Sequence, residues 1–113
     1  MGQASSFDQT LALDAGRAYI ESFMRVHAID HIAAFAWDKP TIKYVSWSDG
    51  STSGFVGIFV PDTASTGCGV AVFSVRDRIP GHLTAVAWGY SPSLKDAQRH
   101  FEENASHGIA DVL

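Results

Sequence analysis

The sequence predicts an α+β fold with an N-terminal helix, an antiparallel meander sheet of four to five strands and a C-terminal helix. Three apolar runs, residues 54–60, 69–75 and 83–90, have the length and the β-branched or aromatic content of strands. The links between them are short and rich in turn-forming residues, which favours hairpins. Segments with helical spacing flank these runs. At 113 residues the chain is expected to form a single domain, 1–113.

The N-terminal helix is expected to run from Phe7 to about His27. Ser6 and Gln9 fit a capping box, in which two side chains satisfy the first free backbone amides of a helix. Apolar residues then recur at spacings of three and four, which places them on one helical face. The face that we expect to pack on the sheet comprises Leu11, Ala15, Ala18, Tyr19, Phe23 and Val26.

Two shorter segments lie between this helix and the central runs. Residues 32–37 fit either a strand or a continuation of the helix, and Pro40 ends the segment because proline disfavours helix. Residues 41–47 alternate as a strand does. We therefore interpret 32–37 and 41–47 as a hairpin, and Lys43 suggests an edge or a partly wet face.

The three central runs are apolar on both faces, so both faces of the sheet must be covered. Because side chains alternate along a strand, Phe55 and Phe59 are expected on one face of the sheet, and Val56, Ile58 and Val60 on the other face. In the second run, Val70 and Val72 are expected opposite Ala71, Phe73 and Val75. In the third run, Leu83, Ala85 and Ala87 are expected opposite Val86, Trp88 and Tyr90. We expect the two helices to cover one face only and to leave the other for a partner or a ligand.

The C-terminal helix is predicted to begin at Ser93, because Ser93 and Asp96 form a second capping-box pattern. Gly108 fits a C-cap, where a left-handed backbone favours glycine. The predicted apolar stripe of this helix comprises Leu94, Ala97, Phe101 and Ala105.

Composition excludes several classes of function. The formal net charge is −4 and the basic residues are scattered, which argues against a nucleic-acid-binding surface. No apolar run approaches the length of a membrane span, and no signal-peptide pattern is present. Cys68 is the only cysteine, so no intrachain disulfide can form and a reducing compartment is favoured. The expectation is a soluble cytoplasmic protein that binds neither nucleic acid nor membrane.

No cofactor or metal is predicted. The glycines form neither a dinucleotide-binding fingerprint nor a P-loop. His27 and His31 are four residues apart, but a zinc site would need a third ligand. The most chemically dense segment is 76–82, in which Arg76, Arg78 and His82 could bind an anionic ligand or an acidic partner. An ordinary charged turn is the alternative interpretation.

Two functional hypotheses follow. The first is a small soluble binding or protein-interaction module that forms a homodimer through the open sheet face and that binds a protein partner or a small apolar or aromatic ligand. The second is a small enzyme or carrier with an aromatic-lined sheet cavity that uses His82, Asp77 or His31. The predicted ligand- or partner-binding residues are Trp37, Trp47, Arg76, Arg78, His82, Trp88 and Tyr90.

Overall fold

The computed structural model describes residues 9–29, 34–46, 54–75 and 83–110. The described part contains two helices and four strands, which confirms the predicted α+β class. In chain order the elements are α1 (Gln9–Val26), β1 (Thr41–Ser46), β2 (Gly54–Pro61), β3 (Cys68–Val75), β4 (Leu83–Ser91) and α2 (Leu94–Ala105).

The four strands form one antiparallel sheet in the order β1-β2-β3-β4. Each strand pairs with the strand that precedes or follows it, as expected for short links between apolar runs. The predicted meander is therefore confirmed, with β1 and β4 at its edges. The central strands β2 and β3 are buried on both faces along almost their whole length.

The two helices lie on opposite faces of the sheet, so the prediction that both cover one face is wrong. Helix α1 packs across β2, β3 and β4, whereas α2 packs on β1 and β2. The α1 face of the sheet includes Val56, Ile58 and Phe73. The α2 face has its own core of buried side chains: Phe55, Phe59, Cys68, Val70, Val72, Ala97, Phe101 and Ala105. Both apolar faces are thus removed from water within one chain.

The face that α1 buries matches the predicted one only in part: Ala15 and Phe23 pack against the core as expected, and the Tyr19 ring lies 6.0 Å from that of Phe73. The buried residues of the helix are Ala12, Gly16, Ile20 and Met24. Leu11, by contrast, keeps 49% of its surface exposed. Small residues at the contact let the helix approach the sheet closely, and a Cβ on Gly16 would lie only 3.3 Å from Cγ1 of Ile58. The predicted face left out Ile20 and Met24, and it also left out Ala12 and Gly16, which carry little hydrophobic surface.

Helix α2 forms as its sequence predicts. The hydroxyl of Ser93 accepts a hydrogen bond from the backbone amide of Asp96 at 3.1 Å. The ring of Phe101 packs edge-on against Phe59, with 5.6 Å between ring centroids. Gly57 leaves room for this pair, since a Cβ there would lie 3.2 Å from Phe101. Among the described residues, neither helix has the length and apolarity to cross a membrane.

A β-bulge changes the expected alternation of β4. Val72 pairs with Ala87, whereas the next residue, Phe73, pairs with Ala85. The extra residue, Val86, moves each later side chain of β4 to the face of the sheet opposite to the one expected from simple alternation. Consequently Trp88 and Tyr90 share the α1 face with Leu83 and Ala85, and Ala87 lies on the α2 face.

The predicted hairpin of 32–37 with 41–47 is wrong in its described part, because β1 pairs with β2. Phe35 forms only an isolated bridge to Asp62, and the Ala36 amide donates to the Pro61 carbonyl at 2.8 Å. The Phe35 ring occupies space above Gly69, where a Cβ would lie 2.7 Å from it. Backbone hydrogen bonds to the end of β2 and packing of the Phe35 ring over the sheet therefore hold this segment together, and pairing with β1 does not.

Candidate functional site

The structure places three of the predicted site residues, and it does not bring them into one site. Trp37 lies beside α1, with its ring 5.4 Å from Phe35. Phe35 in turn lies 6.0 Å from Tyr90, whereas Trp88 sits apart on β4 and contacts Tyr19. The other predicted residues lie outside the described part of the chain: Trp47, Arg76, Arg78 and His82, together with Asp77 and His31 of the alternative hypothesis.

Tyr90 belongs to a polar cluster that joins β4 to the loop between β2 and β3. Its hydroxyl donates to Oδ2 of Asp62 at 2.9 Å and lies 2.9 Å from Oγ of Ser65. Ser65 donates to the same carboxylate oxygen at 3.1 Å, and the backbone amide of Ala64 donates to Oδ1 at 2.9 Å. Asp62 is only 2% exposed, so its carboxylate depends on these donors in place of water.

This cluster is suited to fastening the loop rather than to acid–base chemistry. The hydrogen bond with Ser65 lowers the pKa of Tyr90, but burial and the neighbouring Asp62 carboxylate outweigh it, so the pKa is raised. A phenol with a raised pKa stays protonated at neutral pH and acts as a donor. A Cβ on Gly67 would collide with the Tyr90 hydroxyl, so the loop closes tightly on β4. Sequence reasoning treated this loop only as a hairpin link and missed the cluster.

Cys68 provides a prediction about alkaline stability. The side chain is fully buried, and burial raises the pKa of its thiol from 9.0 to about 12. The unfolded chain therefore loses this proton first, and stability falls as pH rises from about 9 towards 12 by up to about 1.4 kcal/mol per pH unit. We expect the loss of unfolding free energy between about pH 8 and about pH 11 to be about 3 kcal/mol smaller in Cys68→Ala. Urea titrations of both proteins measure it; equal losses would show that the thiol is not buried.

The two edges of the sheet are protected differently. On β1, Nζ of Lys43 forms an ion pair with Oε2 of Glu102 on α2 at 2.8 Å, which places charge at that edge. The nine residues of β4 contain no charged residue and no proline. Among the described strands, β4 has a neighbour on one side only. Natural edge strands usually carry charge, proline or a covering element, and β4 lacks the first two of these.

Exposed apolar side chains lie at the β4 edge. Tyr19, Val86 and Trp88, which we call the β4 edge patch, are 37%, 40% and 40% exposed. The rings of Tyr19 and Trp88 are in contact, with 4.7 Å between their centroids. The sequence pointed to Trp88, and it placed Tyr19 on the side of α1 that faces the sheet. The Tyr19 ring does lie against the sheet, 6.0 Å from the ring of Phe73, but part of it remains exposed.

A cavity of about 190 Å³ lies on the other side of α1, towards β1 and β2. The guanidinium of Arg17 lies over the ring of Trp37, with 4.8 Å from its central carbon to the ring centroid. The residues that line the cavity are Leu13, Asp14, Arg17, Trp37, Pro40, Ile58 and Val60.

The described ranges contain no cluster of three His, Cys, Asp or Glu side chains that could hold a metal ion. His27, His100 and His107 are exposed. Comparisons with protein-family models, with curated proteins and with solved structures find no significant match to this chain. Its function must therefore be argued from its own surfaces.

Proposed function

We propose that the protein is an interaction module that assembles as a homodimer through the edge of β4. The observation that carries this proposal is a nine-residue edge strand without charge, next to the exposed rings of Tyr19 and Trp88. The edge strand of a sheet can offer backbone donors and acceptors to a further strand, and an apolar patch beside it adds surface to bury. Together they favour sheet extension by a strand of another chain.

A second copy of this chain fits the edge by symmetry. Antiparallel pairing of β4 with itself would join two four-stranded sheets across a twofold axis. An axis at Ala87, the middle residue of β4, would set Trp88 of each copy opposite Val86 of the other. Two chains of formal net charge −4 repel each other overall, so their contact requires a surface without charge. The edge of β4 meets that requirement.

The dimer that the sequence suggested used an open sheet face instead. Each face carries a helix, so neither face offers β2 and β3 to a partner. The proposal therefore places the dimer interface at the edge of β4, because no further described strand pairs with β4 on that side.

Substitution at the edge tests the proposal. Val86→Lys places a charge on the contact, and we expect it to weaken self-association by about tenfold or more, because a buried unpaired ammonium is costly. Sedimentation velocity over a range of concentrations measures the dissociation constant of each protein. Ile109→Lys is the matched control, since Ile109 is 50% exposed and lies beyond α2, and it should leave the constant unchanged.

Two results would overturn the proposal. One is a wild-type protein that remains monomeric up to about 100 μM, because its self-association would then be weaker than that of most specific dimers. The other is a dimer that Val86→Lys leaves intact, which would place the interface elsewhere.

A further inference from the structure

The lining of the cavity beside Trp37 combines charged and apolar residues. Leu13 projects from α1, Ile58 and Val60 from β2, and Pro40 closes the side towards β1. An apolar cavity of about 150 Å³ is large enough to hold a benzene ring. The volume of about 190 Å³ here is therefore sufficient for one aromatic ring or a short branched aliphatic chain.

Both charged residues that line the cavity come from α1, at Asp14 and Arg17. The same spacing occurs on α2, where Arg99 donates to Asp96 at 3.2 Å and the two charges neutralise each other. On α1 the structure shows no such pair. Arg17 instead donates through Nε to Oε2 of Glu21 at 3.1 Å and lies over Trp37.

This arrangement leaves the Asp14 carboxylate and the terminal nitrogens of Arg17 at the cavity, while Nε of Arg17 stays in its ion pair with Glu21. Within the described part of the chain, no basic side chain pairs with Asp14. The Nε of Arg17 is occupied by Glu21, but a guanidinium has two further nitrogens, which match a carboxylate in a bidentate geometry. A ligand with only one charge would satisfy one of these groups and meet repulsion from the other.

We infer that this cavity binds a free apolar α-amino acid as its zwitterion. The ligand's carboxylate pairs with the terminal nitrogens of Arg17, and its ammonium pairs with Asp14. Its aliphatic or aromatic side chain lies against Leu13 and Trp37, which are only partly buried. One ligand class thus uses the volume, the apolar lining and both charges of the site.

Leucine and three analogues test separately how much the ammonium, the carboxylate and the apolar chain of the ligand contribute to binding. L-Leucine carries all three features; 4-methylpentanoate lacks the ammonium, 3-methylbutylamine lacks the carboxylate, and glycine lacks the apolar chain. We expect leucine to raise the melting temperature in a saturable way, since a ligand that binds only the folded state stabilises it. Titration calorimetry should give each analogue a dissociation constant at least about tenfold weaker than that of leucine.

Variants link the binding to these residues. Arg17→Met keeps the aliphatic stem, and Asp14→Asn keeps the shape of the side chain; each should weaken leucine binding about tenfold or more, as expected for the loss of a charge-assisted contact. Arg99→Met, which removes the corresponding arginine of α2, is the control and should not change the affinity. Melting of the unliganded variants establishes that each is folded.

The inference is overturned if leucine up to about 10 mM produces no saturable shift, since the site would then have no useful affinity. It is also overturned if either singly charged analogue binds as tightly as leucine, or if Arg17→Met and Asp14→Asn bind like the wild type. The cavity lies on the β1 side of α1 and the proposed dimer contact at β4. Calorimetry therefore tests ligand binding, and sedimentation tests dimerisation, so that either proposal can be refuted without the other.

Discussion

Phe101→Ala is expected to lower the free energy of unfolding by about 4 kcal/mol, because truncating a fully buried phenylalanine removes apolar contacts and leaves a cavity. Phe101 is 0% exposed and packs edge-on against Phe59 above Gly57. It is the largest side chain that α2 contributes to its face of the sheet. Urea unfolding followed by circular dichroism measures the loss.

Two further variants make this result specific to the two-sided architecture. Phe101→Leu keeps most of the volume and should cost about 1 kcal/mol. Leu11→Ala changes a residue that is 49% exposed on α1 and should cost well under about 1 kcal/mol. If Phe101→Ala cost no more than Leu11→Ala, α2 would not cover the sheet and the second face would be open after all.

Asp62→Ala is expected to cost about 3 kcal/mol, because it leaves several donors without an acceptor in a buried site. The donors are the hydroxyls of Tyr90 and Ser65 and the backbone amide of Ala64. Thermal and urea unfolding measure the change in stability. Amide hydrogen exchange should also speed up in the loop between β2 and β3, since this cluster joins that loop to β4.

Tyr90→Phe separates the hydroxyl from the ring. It removes the hydrogen bond to Asp62 and keeps the ring against Phe35, so about 1 kcal/mol is expected. Asp38→Ala, at an exposed position, should stay within about 0.5 kcal/mol of the wild type. A loss of similar size in Asp62→Ala and Asp38→Ala would show that the buried cluster does not hold the loop.

Burial of both sheet faces changes where a partner can bind. A sheet with one open face would offer a broad apolar surface, whereas each face of this sheet carries a helix. One edge carries the Lys43–Glu102 ion pair, and the other carries the β4 edge patch. The asymmetry between the two edges is the reason for assigning partner binding to β4 and small-ligand binding to the cavity beside Trp37.

Prediction from the sequence succeeded where a single element carries the signal. The facing of β2 and β3 followed from strict alternation, since Phe55 and Phe59 lie opposite Val56 and Ile58. The cap at Ser93 was recognisable because its acceptor and donor lie three residues apart. The α2 stripe, including Phe101, followed from helical spacing. Each of these features depends on local geometry alone.

The candidate site was less predictable. Trp37 and Trp88 were singled out and Tyr19 was expected to face the sheet, but the contacts of Trp37 with Arg17 and of Trp88 with Tyr19 were not predicted. The same applies to Asp62, which meets Tyr90 across 28 positions of sequence. Contacts between distant segments depend on how whole helices and strands pack against each other. The amino-acid composition does not reveal that packing.

The sequence by itself therefore determined the α+β class, the meander order of the central strands and the inward stripe of α2. Only the tertiary structure decided that α1 and α2 lie on opposite faces, that Gly16 rather than Leu11 faces the sheet, and that the bulge at Val86 turns Trp88 to the α1 side. The physical reason is that periodicity defines which residues of an element share a face. Which neighbour that face meets depends on volume and close approach, and these are properties of the packed chain.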